Sequence, residues 1–356
     1  MARQAMLETL LGELLWRAGH AARARRALED ALRLHLGTGD LRGQARTSAT
    51  LCHVMRAEGR PAQALELLDQ AERGFAALGD RLGQARTLVD RGLHLSRVGQ
   101  QRAAILALER AGQAFAALGV LRGQEEVHLN LGEALLGIGD DARALTEVHR
   151  AVQVCREVGE RLRLSTALEL LACAALLRDD LAAAEGALAE ALSLAHASGN
   201  QRSAATILAK RGLCHYLRGR WAASLADFEA SAALHREVGA TTMEGTALAD
   251  VAVAKAAVGD AVGARAAAAR ARELLHDPPD GTWTGRMLTL LETAAEVHIA
   301  AASAGTSDVA AVARRAEAVR VAVLARMPSD AQDLATRLSS LMLQAATTGP
   351  GARGSA

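Results

Sequence analysis

A glycine returns every forty residues along this chain. It stands at Gly19, Gly59, Gly99, Gly139, Gly219 and Gly259, with Asp179 filling the single gap. A second series runs through Gly39, Gly79, Gly119, Gly159, Gly199 and Gly239. The stretch from Leu131 to Leu145 is the clearest copy of the unit. A turn repeated at a fixed interval requires that the elements between the turns repeat as well, so the period restricts the chain to a stacked array. The 356 residues exceed what one hydrophobic core usually serves, which agrees with an array.

The segments between turns are rich in Ala, Leu, Arg and Glu, all strong helix formers, and Pro61 is the single proline before Pro278. This predicts an all-α chain in which each unit is a helix A, a glycine turn and a helix B. In the second unit helix A runs roughly from Leu41 to Glu58 and helix B from Pro61 to Leu78. Pro61 suits a first helical turn, and Gly79-Asp80 stops one helix and caps the next.

Small residues occupy fixed places in every unit. Gly12, Cys52, Gly92, Gly132, Ala172, Gly212 and Ala252 form one column in helix A. Ala24, Ala64, Ala104, Ala144, Ala184, Ser224 and Ala264 form another in helix B, followed seven residues on by Ala31, Ala71, Ala111, Ala151, Ala191, Ser231 and Ala271. Between these two lies a mostly bulky column: Leu28, Leu68, Leu108, Val148, Leu188, Phe228 and Ala268. Small residues allow the two helices to approach, and the bulky column fills the space between. A leucine at Gly132 is expected to overpack, at a cost of about 1–3 kcal/mol. Phe75 and Phe115, at the end of helix B, are expected to pack between units.

These columns and the helix–turn–helix unit resemble the tetratricopeptide repeat (TPR). The resemblance covers Met1 to about His276 as seven units. The unit is 40 residues here against the usual 34 or so, and leucine or methionine (Leu95, Leu135, Met55) stands where the family has aromatics. Longer units of this kind are similar to the sensor arms of maltose-regulator-type bacterial transcription activators. The resemblance implies a right-handed α-α superhelix of seven to eight helix pairs with a concave groove. Domain limits are expected at 1–276 for the array, 277–284 for a Pro/Gly break, 285–347 for a degenerate eighth pair with a capping helix, and 348–356 for a disordered tail. In the eighth pair Gly305 is the expected turn and Ala311 and Ala318 take the small positions. Ser329 or Asp330 is the expected cap of the last helix, and Trp283 is expected to staple the break. The seventh helix B, built largely of alanine, should bury little apolar surface. Met1 opens directly on a helix A without a cap, so self-association through that edge is possible, as is a longer parent chain.

By the same resemblance, helix A lines the groove and a protein or peptide binds there. The candidate partner-binding residues are Arg46, His53, Arg56, Arg86, Val89, Asp90, Leu93, Glu126, Leu129, Asn130, Glu133, Glu169, Lys210 and Tyr216. Trp16 and Tyr216 are expected at the groove or its lip. Asn130 matches one position of the family's carboxylate clamp, but its companions Val89 and Leu93 cannot hydrogen-bond a carboxylate, so a clamp is not expected. The groove instead changes sign. Arg46, Arg56 and Arg86 precede Glu126, Glu133 and Glu169, with Val89, Leu93 and Leu129 between. A peptide with acidic, apolar and basic segments would complement it. A regulatory sensor arm that responds to a small ligand is the alternative role.

Other chemistry has little support. The formal charge of +1 gives no field for nucleic acid or an anionic membrane. Arg314, Arg315, Arg320, Arg326 and Arg337 cluster near the C-terminus, but no recognition helix follows them. No HExxH, phosphate-binding glycine loop or Gly-x-Ser-x-Gly occurs, so no enzyme, cofactor or metal site is expected. Cys214-His215 are adjacent and point apart on a helix. Cys52, Cys155, Cys173 and Cys214 form no CxxC pair and suit the core of a reduced, cytoplasmic protein. There is no signal-peptide layout and no apolar run of membrane length.

Overall fold

A computed structural model describes residues 1–276, 283–303, 306–325 and 334–348. The described residues form seventeen helices and no strand. Seven helix pairs follow the forty-residue period: α1 (Ala2–Arg17) with α2 (Ala21–Thr38), α3 (Leu41–Ala57) with α4 (Pro61–Ala77), α5 (Arg81–Arg97) with α6 (Gln101–Leu118), α7 (Leu121–Gly137) with α8 (Asp141–Val158), α9 (Arg161–Leu177) with α10 (Leu181–Ala197), α11 (Gln201–Leu217) with α12 (Trp221–Glu237), and α13 (Thr241–Ala257) with α14 (Ala261–Leu274). Then come α15 (Trp283–Ser303), α16 (Thr306–Ala325) and α17 (Leu334–Thr348). The chain divides into two compact units, Met1–Leu135 and Leu136–Ala356.

The turns form for local reasons. Both glycine series are left-handed, and Asp179 has φ 62° in the gap of the first. Glycine takes this conformation without a Cβ penalty, and aspartate is among the few residues that tolerate it. Capping follows sequence as well. Asp40, Asp80, Asp140, Asp180, Asn200 and Asp260 each accept a hydrogen bond from a backbone N–H in the following first turn.

The small columns let helices meet. A Cβ added at Gly92 would lie 2.6 Å from Leu108 Cγ, and one at Gly212 would lie 2.7 Å from Phe228 Cδ1. In these hairpins helix A therefore rests against the bulky column of its own helix B. A second contact joins successive hairpins: the ring of Phe75 lies on Gly83 and the ring of Phe115 on Gly123. Phe115 is 2% exposed, so the expected inter-unit packing holds. His35 takes the same slot against Gly43 in polar form, with Nε2 3.2 Å from Thr9 Oγ1 and Nδ1 2.9 Å from Asp40 Oδ2.

The C-terminal segment departs from the expected eighth repeat. α15 packs on α13 and α17, while α16 lies against α15 and α17. Ala311 and Ala318 are exposed and Ala316 is the buried alanine, so the small positions of α16 fall elsewhere than expected. α14 buries only Ala264, Ala267 and Ala271 within its own span, as its composition predicts. The 277–282 break, Gly305, Arg326, Ser329, Asp330, the Trp283 side chain and the tail from 349 lie outside the described residues.

Candidate binding site on the A-helix face

In the first unit the sixth position of each repeat brings Arg46 of α3 and Arg86 of α5 to the surface, both exposed. Together with Arg42, Thr50, Thr87 and Asp90 they line a cleft of about 260 Å3. Arg42 and Arg46 also line a neighbouring cleft of about 500 Å3 with Arg3, Met6, Leu10 and Asp40. Arg46 reaches Glu13 at 3.5 Å. The guanidinium groups of Arg42 and Arg86 meet no carboxylate among the described residues. Three guanidiniums in this cleft outnumber the carboxyls of Asp80 and Asp90, a balance that suits an anionic group. Arg42 stands one turn before Arg46 on the same helix face. That i, i+4 relation to Arg46 was its signal in the sequence.

Deeper on this face, Arg56 Nη2 lies 3.2 Å from His53 Nδ1, and His53 Nε2 lies 3.5 Å from Asp90 Oδ1. Burial pushes the Asp90 carboxyl up to about 7; Arg56 opposes the shift and Glu126 adds to it. Burial, with Arg56 adding, holds His53 down to about 4, so it is neutral at pH 7. Three residues expected from successive repeats are thus brought together: His53, Arg56 and Asp90. Cys52 beside them is buried and its thiol is pushed up to about 12, so it supplies no thiolate.

Other expected residues are placed differently. Val89 is 3% exposed and belongs to the core, because position nine of α5 turns inward. Leu93 and Leu129 are half-buried. Asn130 donates from Nδ2 to its own helix at Glu126 C=O, 2.8 Å away. Glu133 is exposed. Trp16 is half-buried against the core of α1–α4.

In the second unit two expectations need correction. Tyr216 is fully buried: its hydroxyl lies 2.6 Å from His298 Nε2 of α15, and its ring meets Trp221 edge-on at 4.9 Å. No partner can reach it, because α15 covers that face. Glu169 and Lys210 form an ion pair with each other, so they are not free charges on an open groove. α17 touches both α9 and α11. Arg337 of α17 donates to Leu136 C=O at 2.6 Å and to both oxygens of Asp141 at 2.8 Å. Arg320 is likewise engaged, by Glu317 and Ser340. Under α17 lies a pocket of about 270 Å3, lined by Thr206, Ala209, Lys210 and Leu213 of α11, Phe228 of α12, Met243, Thr246 and Asp250 of α13, Met287 of α15, and Leu338, Ser339 and Met342 of α17. Among the described residues no cluster of His, Cys, Asp and Glu could hold a metal ion, and no helix is long and apolar enough to cross a membrane.

The chain matches no family model and no curated protein. Its fold is similar to solved structures. One is a STAND signal-transduction ATPase with a tetratricopeptide repeat sensor from Pyrococcus horikoshii (12% identity, TM-score 0.62), where 87% of this chain spans 45% of that one. A second is a Rap protein complexed with competence and sporulation factor (14% identity, TM-score 0.62), covering 91% and 92% of the two chains. A third is the apo form of the quorum sensor NprR from B. thuringiensis (12% identity, TM-score 0.57), again covering 91% and 92%. The fold is a TPR-like helical repeat. At these identities the likeness carries the fold alone.

Proposed function

We propose that this chain is a non-catalytic TPR-like scaffold that holds a protein or peptide segment on the A-helix face of α3, α5 and α7. Arg42, Arg46 and Arg86 take acidic side chains, Leu93 and Leu129 offer apolar contact, and Glu126 and Glu133 face basic groups. The observation that carries this reading is the excess of guanidiniums, from Arg42, Arg46 and Arg86, over carboxyls in one cleft. Rigid helices hold these groups at fixed spacing, so little order is lost on binding. A further neighbour, the Rap conjugation gene regulator of the plasmid pLS20 in complex with the Phr* peptide (12% identity, TM-score 0.53), supports a peptide ligand.

Selecting peptides from a random display library on the full chain tests this. Enriched sequences should carry acidic residues beside apolar ones. The double variant Arg42→Glu, Arg86→Glu should weaken them at least about tenfold without changing helical content, and added salt should weaken wild-type binding. Peptides that bind the double variant equally well would sink the reading.

A second reading is a regulatory sensor arm of the maltose-regulator kind in a bacterial signalling system. It is favoured by the STAND neighbour, whose repeats are named as its sensor. On either reading residues 1–276 form the repeat array and the protein works in the cytoplasm. Met6, Leu7, Leu11 and Leu14 on α1 are exposed, which favours self-association through that helix.

A further inference from the structure

We propose that the pocket beneath α17 is a site for a small amine with an apolar body, whose ammonium group pairs with Asp250. The inference concerns other side chains than the peptide reading and stands apart from it.

Asp250 lines the pocket and makes no hydrogen bond or ion pair with any described residue. Asp250 is half-buried, and a carboxyl group withdrawn from water without a partner is costly, so a ligand donor would relieve that cost. The remaining charges already cancel: Lys210 lines the pocket but is held by Glu169. An anionic ligand therefore finds no free cation there and meets Asp250, whereas a cation finds an unopposed carboxyl.

The neutral polar groups select in the same direction. Thr246 Oγ1 donates to Met243 C=O at 2.8 Å, and Thr206 Oγ1 donates to Arg202 C=O at 3.2 Å. Both hydroxyls spend their proton on their own helix and retain acceptor lone pairs. An ammonium group has three donors and no acceptor, so it complements a carboxylate and two hydroxyl acceptors. The walls include Met243, Met287 and Met342, flexible side chains that adapt to an apolar body. About 270 Å3 is small for a ligand pocket and suits one ring or a short chain.

Burial pushes Asp250 up to about 8, so the free pocket holds a proton at pH 7. Facing it, α11 presents Lys210 with Glu169 of α9 behind, while the lining residues of α12, α15 and α17 carry no titratable group. Binding an ammonium ion then expels the proton, and affinity rises with pH toward about 8.

The test is calorimetry on the full chain with propylamine, hexylamine and phenethylamine, each against the alcohol of the same skeleton. At pH 7 at least one amine should bind about tenfold or more tightly than its alcohol. Paired buffers of different ionisation enthalpy should report proton release. In the near-isosteric variant Asp250→Asn the amine-to-alcohol ratio should fall to about one. Methyl signals of Met243, Met287 and Met342 should shift with the amine. The proposal is overturned if no amine outbinds its alcohol, if the variant keeps the preference, or if those methyl signals stay in place.

Discussion

Asp90 and Asp250 occupy the same register position, four repeats apart, and their surroundings differ. Asp90 shares its face with His53 and Arg56 and opens into a cleft edged by arginines. Asp250 faces methionines and has no charged partner among the described residues. The contacts between hairpins differ too. The first unit sets the rings of Phe75 and Phe115 on glycines, whereas the second has Cys155, Ala195, His235 and Leu275 at that position. One period therefore supports an open, charged face in one unit and a roofed, apolar pocket in the other. The repeat fixes where a side chain stands, and what covers it sets its chemistry.

The sharpest way to break the packing half of this comparison is truncation. Phe115→Ala should cost about 3–5 kcal/mol in chemical denaturation, because the ring fills the whole space over Gly123. Cys155→Ala at the equivalent place should cost only about 1 kcal/mol. Equal losses would mean that the two units pack alike.

The aspartates can be separated by pH. The folded chain holds a proton on Asp250 up to about 8, whereas an unfolded aspartate loses it near 3.9. This contribution to stability is complete below pH 4 and is lost as pH rises toward 8. Asparagine has no proton to lose. Asp250→Asn should therefore exceed wild type by on the order of 5 kcal/mol at pH 8 and match it near pH 4. Asp90→Asn should gain less, on the order of 4 kcal/mol, because its carboxyl is pushed up only to about 7. His53, neutral down to about 4, adds a slope of opposite sign between pH 4 and 6.5, since there the unfolded chain binds the extra proton. Denaturation midpoints across pH 4–8 decide this, and larger gains from Asp90→Asn would reverse the comparison.

The smallest effect concerns the one turn without glycine. Asp179→Gly should stabilise the chain by about 0.5–1 kcal/mol, because the residue already sits at φ 62°. A loss in thermal unfolding would show that contacts of the Asp179 side chain outweigh its backbone cost.

Much of the site was legible because the period carries register. His53, Arg56, Asp90, Arg46 and Arg86 were singled out by the TPR resemblance, which puts helix A on the groove, and by the forty-residue register. Val89 and Tyr216 were misread because a column gives a direction around one helix and not the depth of what packs beside it. Asp250 was not singled out, since nothing local distinguishes a covered carboxyl from a solvated one.

By itself the sequence determined the helices, the left-handed turns, the aspartate caps and the small positions where helices meet. Those features depend on neighbours within one or two repeats, through sterics and hydrogen bonds that a forty-residue unit contains. The tertiary structure alone decided that α17 returns to Asp141 and that one aspartate is roofed while its counterpart is open. Such pairings join residues that no period links, and a partner about two hundred positions away leaves no mark on local composition.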